Sequence, residues 1–505
     1  MNLRNCLLVL VSLLTIFSFP QAQSLRPNIV IILADDLGYG DVQSFNPNSK
    51  IPTPHLDKLA RQGLRFTDAH SPSSVCTPTR YALLTGRYPW RSRLKAGVLP
   101  PLGLPLIEAG RLTLPAMLKS QGYTTAIVGK WHLGWDWATT DGKAAAITPN
   151  GLSNVDFTKP VANGPLTRGF DYYYGVDLPN FPPYLFIEND RTLGLPTETI
   201  PTNNPDINRK GPMMKDWEPV QILPAITDRA VRYVEEKAKS SQPFFLYFAL
   251  TSPHYPVVPS PEFAGKSKAG VYGDFVVQTD AAVGAVMDVL QRSGADKNTL
   301  VIFTSDNGPE VASEVKIGAY DRIQKSQHSS MANWRGVKRD AWEGGHRVPF
   351  IARWTGKIPA GKTNNSLLGH LDLMASMAAL TGFALPSEAA PDSYNQLPAL
   401  LKNQATKRGE LVYHEHQGDL ALRQGDWVFI DSKTCGDGNK EPEWFRQARG
   451  LHNCSGAGAL YNLKTDPAQA KNLYDAQPEK VREMKTLLDK IRQAERSIPL
   501  TQKGQ

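Results

Sequence analysis

The stretch Pro27-Asn28-Ile29-Val30-Ile31-Ile32-Leu33 is a continuous apolar run, rich in β-branched residues. Such a run is typical of a strand that is buried on both faces of a parallel sheet. It ends in Ala34-Asp35-Asp36-Leu37-Gly38. Because open α/β sheets bind ligands beyond the carboxyl ends of their strands, Asp35 and Asp36 are predicted to lie at a binding site.

The rest of the chain continues an alternation of strands and helices around this run. Buried strands are predicted at 124–128, 243–250, 299–304 and 350–353, and helices at 114–121, 226–239, 273–291 and 371–381. The pattern predicts an α/β fold with a large mixed, mostly parallel sheet and helices on both faces. After a Pro-rich linker at 384–398, short alternating runs at 411–413, 420–423, 427–430 and 459–463 and a helix at 479–492 predict a smaller antiparallel sheet packed by one helix.

The domain organisation follows from these shifts in composition. Residues 1–24 are predicted to be a signal peptide, because Arg4 precedes a short apolar run and small or polar residues follow it; an uncleaved anchor is the alternative. A catalytic domain is predicted over 25–383 and an α+β subdomain over 384–505. No later stretch is apolar and long enough to span a bilayer, so an exported protein, periplasmic or secreted, is expected.

Composition excludes some partners. The 505 residues are 41% hydrophobic and 21% charged, with a formal net charge of +8 and 10 Trp. No dense Lys/Arg run favours nucleic acid, whereas a basic surface with many Trp residues suits a sulfated or uronate-bearing glycan. A simple solvated surface explains the charge equally well.

The four cysteines of the chain are predicted to have different roles. Cys6 lies in the leader, and Cys435 and Cys454 are predicted to form a disulfide in an oxidising compartment, two free thiols being the alternative. Cys76 stands two residues before Pro78 and ten before Gly86, a pattern that places it in the first turn of a short helix. Arg80 would lie one turn further on the same side, which makes an anion-binding geometry.

Further polar residues follow the predicted strands. Lys130 and His132, separated by one residue in extended chain, point to the same side, and His254 lies on a loop after the strand at 243–250. Asp306 and Asn307 follow the strand at 299–304, so with Asp35 and Asp36 they form an oxygen shell suited to Ca²⁺ or Mg²⁺. A polar turn is the alternative for the Asp pair alone.

Two regions are assigned to substrate recognition. The long irregular stretch 135–221 contains Phe170-Asp171-Tyr172 and an aromatic patch that ends in Tyr184, with a plain surface insertion as the alternative. His414 and His416 share one face of a predicted strand. Because a third ligand is missing, they are interpreted as a substrate-facing rim rather than a zinc site.

Four segments resemble the type I, formylglycine-dependent sulfatases of the alkaline phosphatase-like superfamily, and especially the bacterial polysaccharide and glycosaminoglycan sulfatases. They are Cys-x-Pro-x-Arg from Cys76, Gly-Lys-Trp-His from Gly129, Arg-Gly-x-Lys from Arg335, and Trp-Glu-Gly-Gly-x-Arg-x-Pro from Trp342. The resemblance implies that Cys76 is converted to formylglycine (3-oxoalanine) by a maturation enzyme and that its hydrate is the nucleophile. It also implies one Ca²⁺ ion, in preference to Mg²⁺, with the ligands Asp35, Asp36, Cys76, Asp306 and Asn307.

The same resemblance implies roles for the remaining site residues. Arg80, Lys130 and Lys338 would balance charge on the sulfate, His254 would protonate the leaving alcohol, and His132 would take a proton from the hydrate. The expected function is hydrolysis of sulfate esters in a sulfated polysaccharide, with N-acetylgalactosamine sulfate of chondroitin or dermatan sulfate favoured. An algal galactan and a small aryl sulfate are the other substrates considered, and a phosphohydrolase or a non-catalytic glycan-binding protein are the other classes.

Overall fold

The computed structural model describes residues 26–199, 209–311, 317–438, 441–451 and 456–499. The predicted signal peptide and Cys454 lie outside these residues, so the leader and the pairing of Cys454 with the buried Cys435 remain predictions. In the described residues, no helix has the length and apolar composition needed to cross a bilayer.

The elements of the described residues alternate as predicted. The strands, in chain order, are β1 (Asn28–Ala34), β2 (Leu64–Phe66), β3 (Ala69–His70), β4 (Thr124–Gly129), β5 (Tyr172–Gly175), β6 (Ile187–Glu188), β7 (Arg191–Thr192), β8 (Glu198–Thr199), β9 (Pro212–Met213), β10 (Phe244–Ala249), β11 (Thr299–Ser305), β12 (Phe350–Arg353), β13 (Lys362–Asn364), β14 (Leu368–Gly369), β15 (Glu410–His414), β16 (Leu420–Gln424), β17 (Trp427–Asp431) and β18 (Ala459–Asn462). The α-helices are α1 (Pro54–Gln62), α2 (Cys76–Thr85), α3 (Leu114–Ser120), α4 (Ile222–Lys237), α5 (Gly270–Arg292), α6 (Ala319–Ser326), α7 (Glu343–His346), α8 (Asp372–Thr381), α9 (Leu397–Lys402), α10 (Glu443–Arg449) and α11 (Pro478–Gln493).

One large sheet organises the molecule. Within the described ranges it has ten strands in the order β13-β2-β12-β11-β1-β10-β4-β5-β6-β7. The central strands β11, β1, β10, β4 and β5 are mutually parallel, while β12, β6 and β7 run antiparallel to a neighbour. The predicted mixed, mostly parallel sheet is therefore confirmed.

The sheet is covered on both faces, as the continuous apolar run in β1 predicted. Successive side chains of a strand point to opposite faces, and β1 accordingly contributes Ile29, Ile31 and Leu33 to one core. That core includes side chains of α2, α3 and α8, whereas the core on the other face includes side chains of α1, α4 and α5. Helices on both faces leave the strand ends as the places where polar side chains can meet.

The C-terminal part forms its own antiparallel sheet in the order β15-β16-β17-β18, with α11 packed against β16 and β17. This confirms the predicted second sheet with one helix, although the exact domain boundaries stay a prediction. The predicted linker at 384–398 is packed rather than loose. Asp392 within it is fully buried and accepts hydrogen bonds from the Tyr88 backbone N–H and from Arg91.

The prediction that residues 135–221 lack regular secondary structure was partly wrong. It contains β5, which extends the parallel sheet beside β4, followed by the β6–β7 hairpin. Phe170, assigned to substrate recognition, is instead buried and stacks on Phe245 and Tyr247 of β10. Asp171 next to it accepts hydrogen bonds from the backbone and side chain of Thr125. This segment is structural, because its aromatic rings fill the core.

Candidate active site

The predicted acidic residues meet at the carboxyl ends of two adjacent strands. β1 and β11 pair in register up to Ala34 and Ser305, so Asp35 and Asp306 leave the sheet side by side. The backbone N–H of Asp36 donates to Asp306 Oδ1 at 3.2 Å, and Asn307 Nδ2 donates to Asp36 Oδ1 at 2.8 Å. All four side chains are at most 1% exposed.

Cys76 lies at the first residue of α2, as predicted from Pro78 and Gly86. The helix ends at Gly86, which adopts φ of 63° and donates its backbone N–H to the carbonyl of Ala82, a left-handed cap that glycine accommodates without steric cost. Burial raises the pKa of the Cys76 thiol. An unmodified thiol held in its neutral form is a weak nucleophile, so this position is poorly suited to ordinary cysteine catalysis.

Three basic side chains pair one-to-one with the three buried carboxylates. Lys130 Nζ lies 2.7 Å from Asp35 Oδ2, Lys338 Nζ lies 2.7 Å from Asp36 Oδ2, and Arg80 Nη2 lies 2.7 Å from Asp306 Oδ2. These pairs join residues that are 95, 302 and 226 positions apart in sequence. The structure thus brings together every cation that the sequence assigned to the site.

Lys130 reaches the site because the chain turns sharply at Gly129. This residue has φ of 116°, and a Cβ atom there would lie 1.8 Å from the carbonyl oxygen of Ala249 in the adjacent strand. Only glycine allows this approach. The backbone N–H of Lys130 then donates to Ala249 at 2.7 Å, which directs the Lys130 side chain to the carboxyl edge of the sheet.

Two histidines flank the acidic residues. Cys76 Sγ lies 3.3 Å from His132 Nδ1, and His254 Nε2 lies 3.6 Å from Asp36 Oδ2. Burial, followed by the charge of Lys130, lowers the pKa of His132 well below its usual value. Burial and the charge of Lys338 lower the pKa of His254 to about 3. Both rings are therefore neutral near pH 7, when neither substrate nor metal is bound.

The acidic residues fit a divalent cation. Within the described residues, Asp35 Oδ1 and Asn307 Oδ1 are buried without a hydrogen-bond partner, and the nearest cation to Asp35 Oδ1 in an ion pair is Arg80 Nη2 at 3.6 Å. Burial and the nearby charge of Asp35 raise the pKa of Asp306 to about 6. Unpartnered oxygens and repelling carboxylates are the features that a hard cation would relieve. Cys76, also predicted as a ligand, is close enough for the charges of Asp306 and Asp35 to act on its pKa.

A second group of potential ligands fits a metal poorly. His70, Glu343 and His346 are buried together, but His70 Nδ1 and His346 Nδ1 share a hydrogen bond of 3.0 Å. Glu343 is already paired with Arg347 at 2.7 Å and with Arg423 at 3.4 Å. Two guanidinium groups beside the carboxylate supply the charge that a metal would bring. Glu343 and Arg347 therefore form a buried ion pair rather than a metal site.

Sequence reasoning missed two carboxylates beside the site. Glu310 lies 3.4 Å from Lys338 Nζ and forms a two-pronged ion pair with Arg339. Asp177 Oδ1 accepts the backbone N–H of His132 and thereby helps to hold that residue at φ of 51°. Glu310 follows Asp306 by four residues and Asn307 by three, so its position in the sequence was a usable signal. Asp177 had no comparable signal, since it lies 45 residues from its partner.

The residues proposed to contact substrate fare differently. Tyr184 is 1% exposed, and its hydroxyl donates to the carbonyl of Arg209. His414 is fully buried, and its carbonyl accepts hydrogen bonds from Ser73 Oγ and the Ser74 backbone N–H. Arg80 and Lys130 are equally buried, so burial does not exclude contact with a bound substrate, and both assignments stay predictions. His416 is half-buried and stays a candidate.

Residues 27–383 match the protein family described as Sulfatase. The chain belongs to the sulfatase family. This sulfatase is accordingly a sulfuric ester hydrolase, and members of its family generally use a metal ion, which agrees with the unpartnered oxygens of Asp35 and Asn307.

Named relatives cover nearly all of the sulfatase. It is 34% identical to an N-acetylgalactosamine-6-O-sulfatase of Bacteroides thetaiotaomicron, over 93% of this chain and 94% of the relative. It is 35% identical to arylsulfatase A of Bos taurus, over 89% and 84% of the two chains. Among solved structures, a 6S-sulfatase from a glycosaminoglycan-metabolism locus of Bacteroides thetaiotaomicron is 31% identical, with a TM-score of 0.79 over 93% of this chain and 100% of the other.

Proposed function

We propose that this sulfatase hydrolyses the 6-O-sulfate of N-acetylgalactosamine in a glycosaminoglycan of the chondroitin or dermatan type. The observation that most strongly supports this proposal is the sequence similarity to the Bacteroides N-acetylgalactosamine-6-O-sulfatase over almost the full length of both chains. An N-acetylgalactosamine-6-sulfatase of Mus musculus supports the same substrate, at 32% identity over 79% of this chain. The similarity to arylsulfatase A favours a small aryl sulfate as the second candidate.

The nucleophile in this proposal is residue 76 after oxidation of Cys76 to formylglycine, whose hydrate offers two hydroxyl groups. One hydroxyl oxygen attacks sulfur and releases its proton to solvent, the bond between sulfur and the sugar oxygen breaks, and that oxygen takes a proton from His254. His254 is neutral in the free enzyme, so this step requires it to be protonated in the substrate complex, where the negative charge of the sulfate group favours the imidazolium. His132 next to position 76 then accepts a proton from the second hydroxyl; the bond to sulfate breaks, and the aldehyde is restored. Water then adds to the aldehyde and regenerates the hydrate, while His132 releases a proton to solvent and His254 takes one up. The cycle therefore converts the sulfate ester and water into the alcohol, sulfate and one proton.

The basic side chains would balance the negative charge of the sulfate group. Arg80, Lys130 and Lys338 surround the carboxylates within hydrogen-bond distance and would stabilise the negative charge of the sulfate group. Asp35, Asp36, Asp306 and Asn307, with residue 76, would hold one Ca²⁺ ion. When bound, that ion would polarise a sulfate oxygen and neutralise the carboxylates.

The proposal includes export and maturation. Residues 1–24 would direct the chain to the periplasm or the medium, where a disulfide between Cys435 and Cys454 could form. A formylglycine-generating enzyme would be the maturation partner, since the aldehyde is not encoded.

A panel of defined substrates tests the proposed function. Sulfate release is measured from N-acetylgalactosamine 6-sulfate, N-acetylgalactosamine 4-sulfate and an aryl sulfate, and phosphate release is measured from an aryl phosphate, with the Cys76→Ala variant as the matched inactive control. We expect the 6-sulfate to be the best sugar substrate and the phosphate ester to be inert. A protein that cleaves the aryl sulfate but none of the sugars would contradict the proposed substrate and support the second candidate.

A further inference from the structure

Three segments meet beside the Lys338 loop and are joined through their backbones. The N–H of Arg339 donates to the carbonyl of Ser74 at 2.9 Å, two residues before Cys76. The N–H of His416 donates to the carbonyl of Arg339 at 3.4 Å, and the carbonyl of His416 accepts from Gly97 at 2.7 Å. The C-terminal sheet therefore places one of its loops directly against the segments that carry the nucleophile and Lys338.

Arg339 pairs with the partly buried carboxylate of Glu310 and has an unusual backbone conformation. Its backbone has φ of 80°, a left-handed conformation that costs energy for a residue with a Cβ. Its guanidinium group is held by Glu310, with Nη2 at 2.9 Å from Oε2, yet 29% of the side chain remains exposed. Because a guanidinium group has five N–H donors and Glu310 takes two, donors remain for a ligand at the surface.

The charges around Arg339 favour an anion. Glu310 is shared by two cations, since Lys338 Nζ lies 3.4 Å from its Oε2. Lys338, Arg339 and Glu310 together carry one net positive charge, which Asp36 balances at 2.7 Å from Lys338 Nζ. A metal ion bound at Asp36 would leave this group positive. Lys338 is assigned to the sulfate group, and consecutive residues have Cα atoms about 3.8 Å apart. A second anionic group of the same substrate could thus be bound by Arg339 while the sulfate is bound by its neighbour.

His416 supplies a second unsatisfied group at the same place. Its Nδ1 atom is buried and, within the described residues, has no hydrogen-bond partner, and the same holds for Ser74 Oγ. Buried polar atoms usually have partners, so unpartnered atoms beside an active site indicate a ligand or ordered water. The hydrogen bond from the His416 backbone N–H to the Arg339 carbonyl holds these two residues next to each other.

We propose that Arg339 and His416 form a subsite for the carboxylate of the uronate next to the sulfated sugar. This inference rests on the proposed glycosaminoglycan substrate and names the group that distinguishes the polymer from a lone sulfated monosaccharide. The planar fork of a guanidinium group matches the two oxygens of a carboxylate. Glu310 is a positioning residue, because it orients the guanidinium group of Arg339 but does not itself contact the uronate carboxylate.

Three substrates separate the subsite from the sulfate site: a uronate-containing disaccharide of N-acetylgalactosamine 6-sulfate, the same disaccharide with its carboxylate reduced to an alcohol, and the sulfated monosaccharide. For the unaltered enzyme, we expect kcat/KM for the acidic disaccharide to exceed that of its reduced form by about tenfold, the effect of one charge-assisted hydrogen bond. Arg339→Gln should reduce this ratio to about twofold or less, and His416→Ala should lower it in the same direction.

The matched control is Arg232→Gln on α4, where the arginine is 70% exposed and pairs with Asp228. This variant should show the same ratio of kcat/KM between the acidic and the reduced disaccharide as the unaltered enzyme. If Arg339→Gln lowered kcat/KM by the same factor for all three substrates, the subsite would be overturned, because Arg339 would then act only through Glu310 and Lys338. An unaltered enzyme that does not distinguish the two disaccharides would also overturn it, while the proposed function would stand. If all three sugars were inert, the proposed function would fail and the subsite with it.

Discussion

Cys76 Sγ lies 3.3 Å from Nδ1 of His132, whose Nε2 lies 3.0 Å from the carbonyl oxygen of Leu99. A carbonyl oxygen only accepts hydrogen bonds, so Nε2 of the neutral ring must carry the hydrogen and Nδ1 must be unprotonated. The backbone carbonyl of Leu99 thus fixes the tautomer. It places a proton acceptor beside the residue that is proposed to become the nucleophile.

The first prediction follows from this tautomer. In His132→Gln, the second half of the reaction should be blocked, because no base would take the proton that releases sulfate. We expect turnover to fall by at least about a hundredfold and a sulfated residue 76 to accumulate. Peptide mass spectrometry after a short incubation with substrate measures the adduct, and His55→Gln on α1 is the control. Loss of turnover with no adduct would argue against this role.

The second prediction concerns the state of residue 76. Burial keeps the encoded thiol neutral, so the unmodified protein should be inactive. Across preparations made with different amounts of a coexpressed maturation enzyme, specific activity should rise in proportion to the fraction of aldehyde found by mass spectrometry. A fully active preparation with an intact thiol would refute the mechanism.

The third prediction concerns the metal. Asp35→Ala and Asp306→Ala should each abolish Ca²⁺ binding measured by calorimetry, because each removes a ligand from a shell with few alternatives. Saturating Ca²⁺ should also raise the melting temperature of the unaltered protein, since a ligand at about 100 times its Kd adds about 2.7 kcal/mol to the free energy of unfolding. The exposed Asp288→Ala is the control. Stoichiometric zinc, with no calcium or magnesium, would contradict the assignment.

The fourth prediction separates the two histidines. If His254 protonates the leaving oxygen, His254→Ala should slow a sugar sulfate far more than an aryl sulfate, because an acidic phenol leaves without a proton. We expect the ratio of the two losses in kcat to exceed about tenfold. As an internal comparison, His132→Gln should lower kcat by about the same factor on the sugar sulfate and on the aryl sulfate. Equal losses on both substrates in His254→Ala would assign the proton to another group.

The fifth prediction is a pH dependence of stability. Burial lowers the pKa of His346 and of His370 to about 3, and that of His414 to about 4. Because the unfolded chain binds protons that the folded chain does not, the free energy of unfolding should be highest above about pH 6.5 and should fall as the pH drops below it. Each histidine adds a slope of up to about 1.4 kcal/mol per pH unit.

Thermal unfolding between pH 7 and pH 5 tests this account. His370→Gln should reduce the slope of the fall in the free energy of unfolding by about the contribution of one proton. A slope identical in His370→Gln and in the unaltered protein would show that His370 does not contribute.

Local sequence determined much of this protein. The apolar runs at 27–33 and 299–304 specify buried strands from local sequence alone, because their side chains are mostly apolar on both faces. Pro78 and Gly86 bound a helix through backbone geometry alone, and the polar residues that follow each strand are consequently predicted at one edge of the sheet. These features depend on neighbours within a few residues, which a sequence displays directly.

The tertiary structure decided what depends on distant residues. The same aromatic residues can bind a sugar or fill a core, and only packing places Phe170 on Phe245 and buries Tyr184. The sequence contains no mark that Glu310 pairs with Arg339 or that the His416 loop from the second sheet reaches the segment before Cys76. Charge pairing and burial are properties of chain segments brought together by folding, so the identity of the site could be predicted but its surroundings could not.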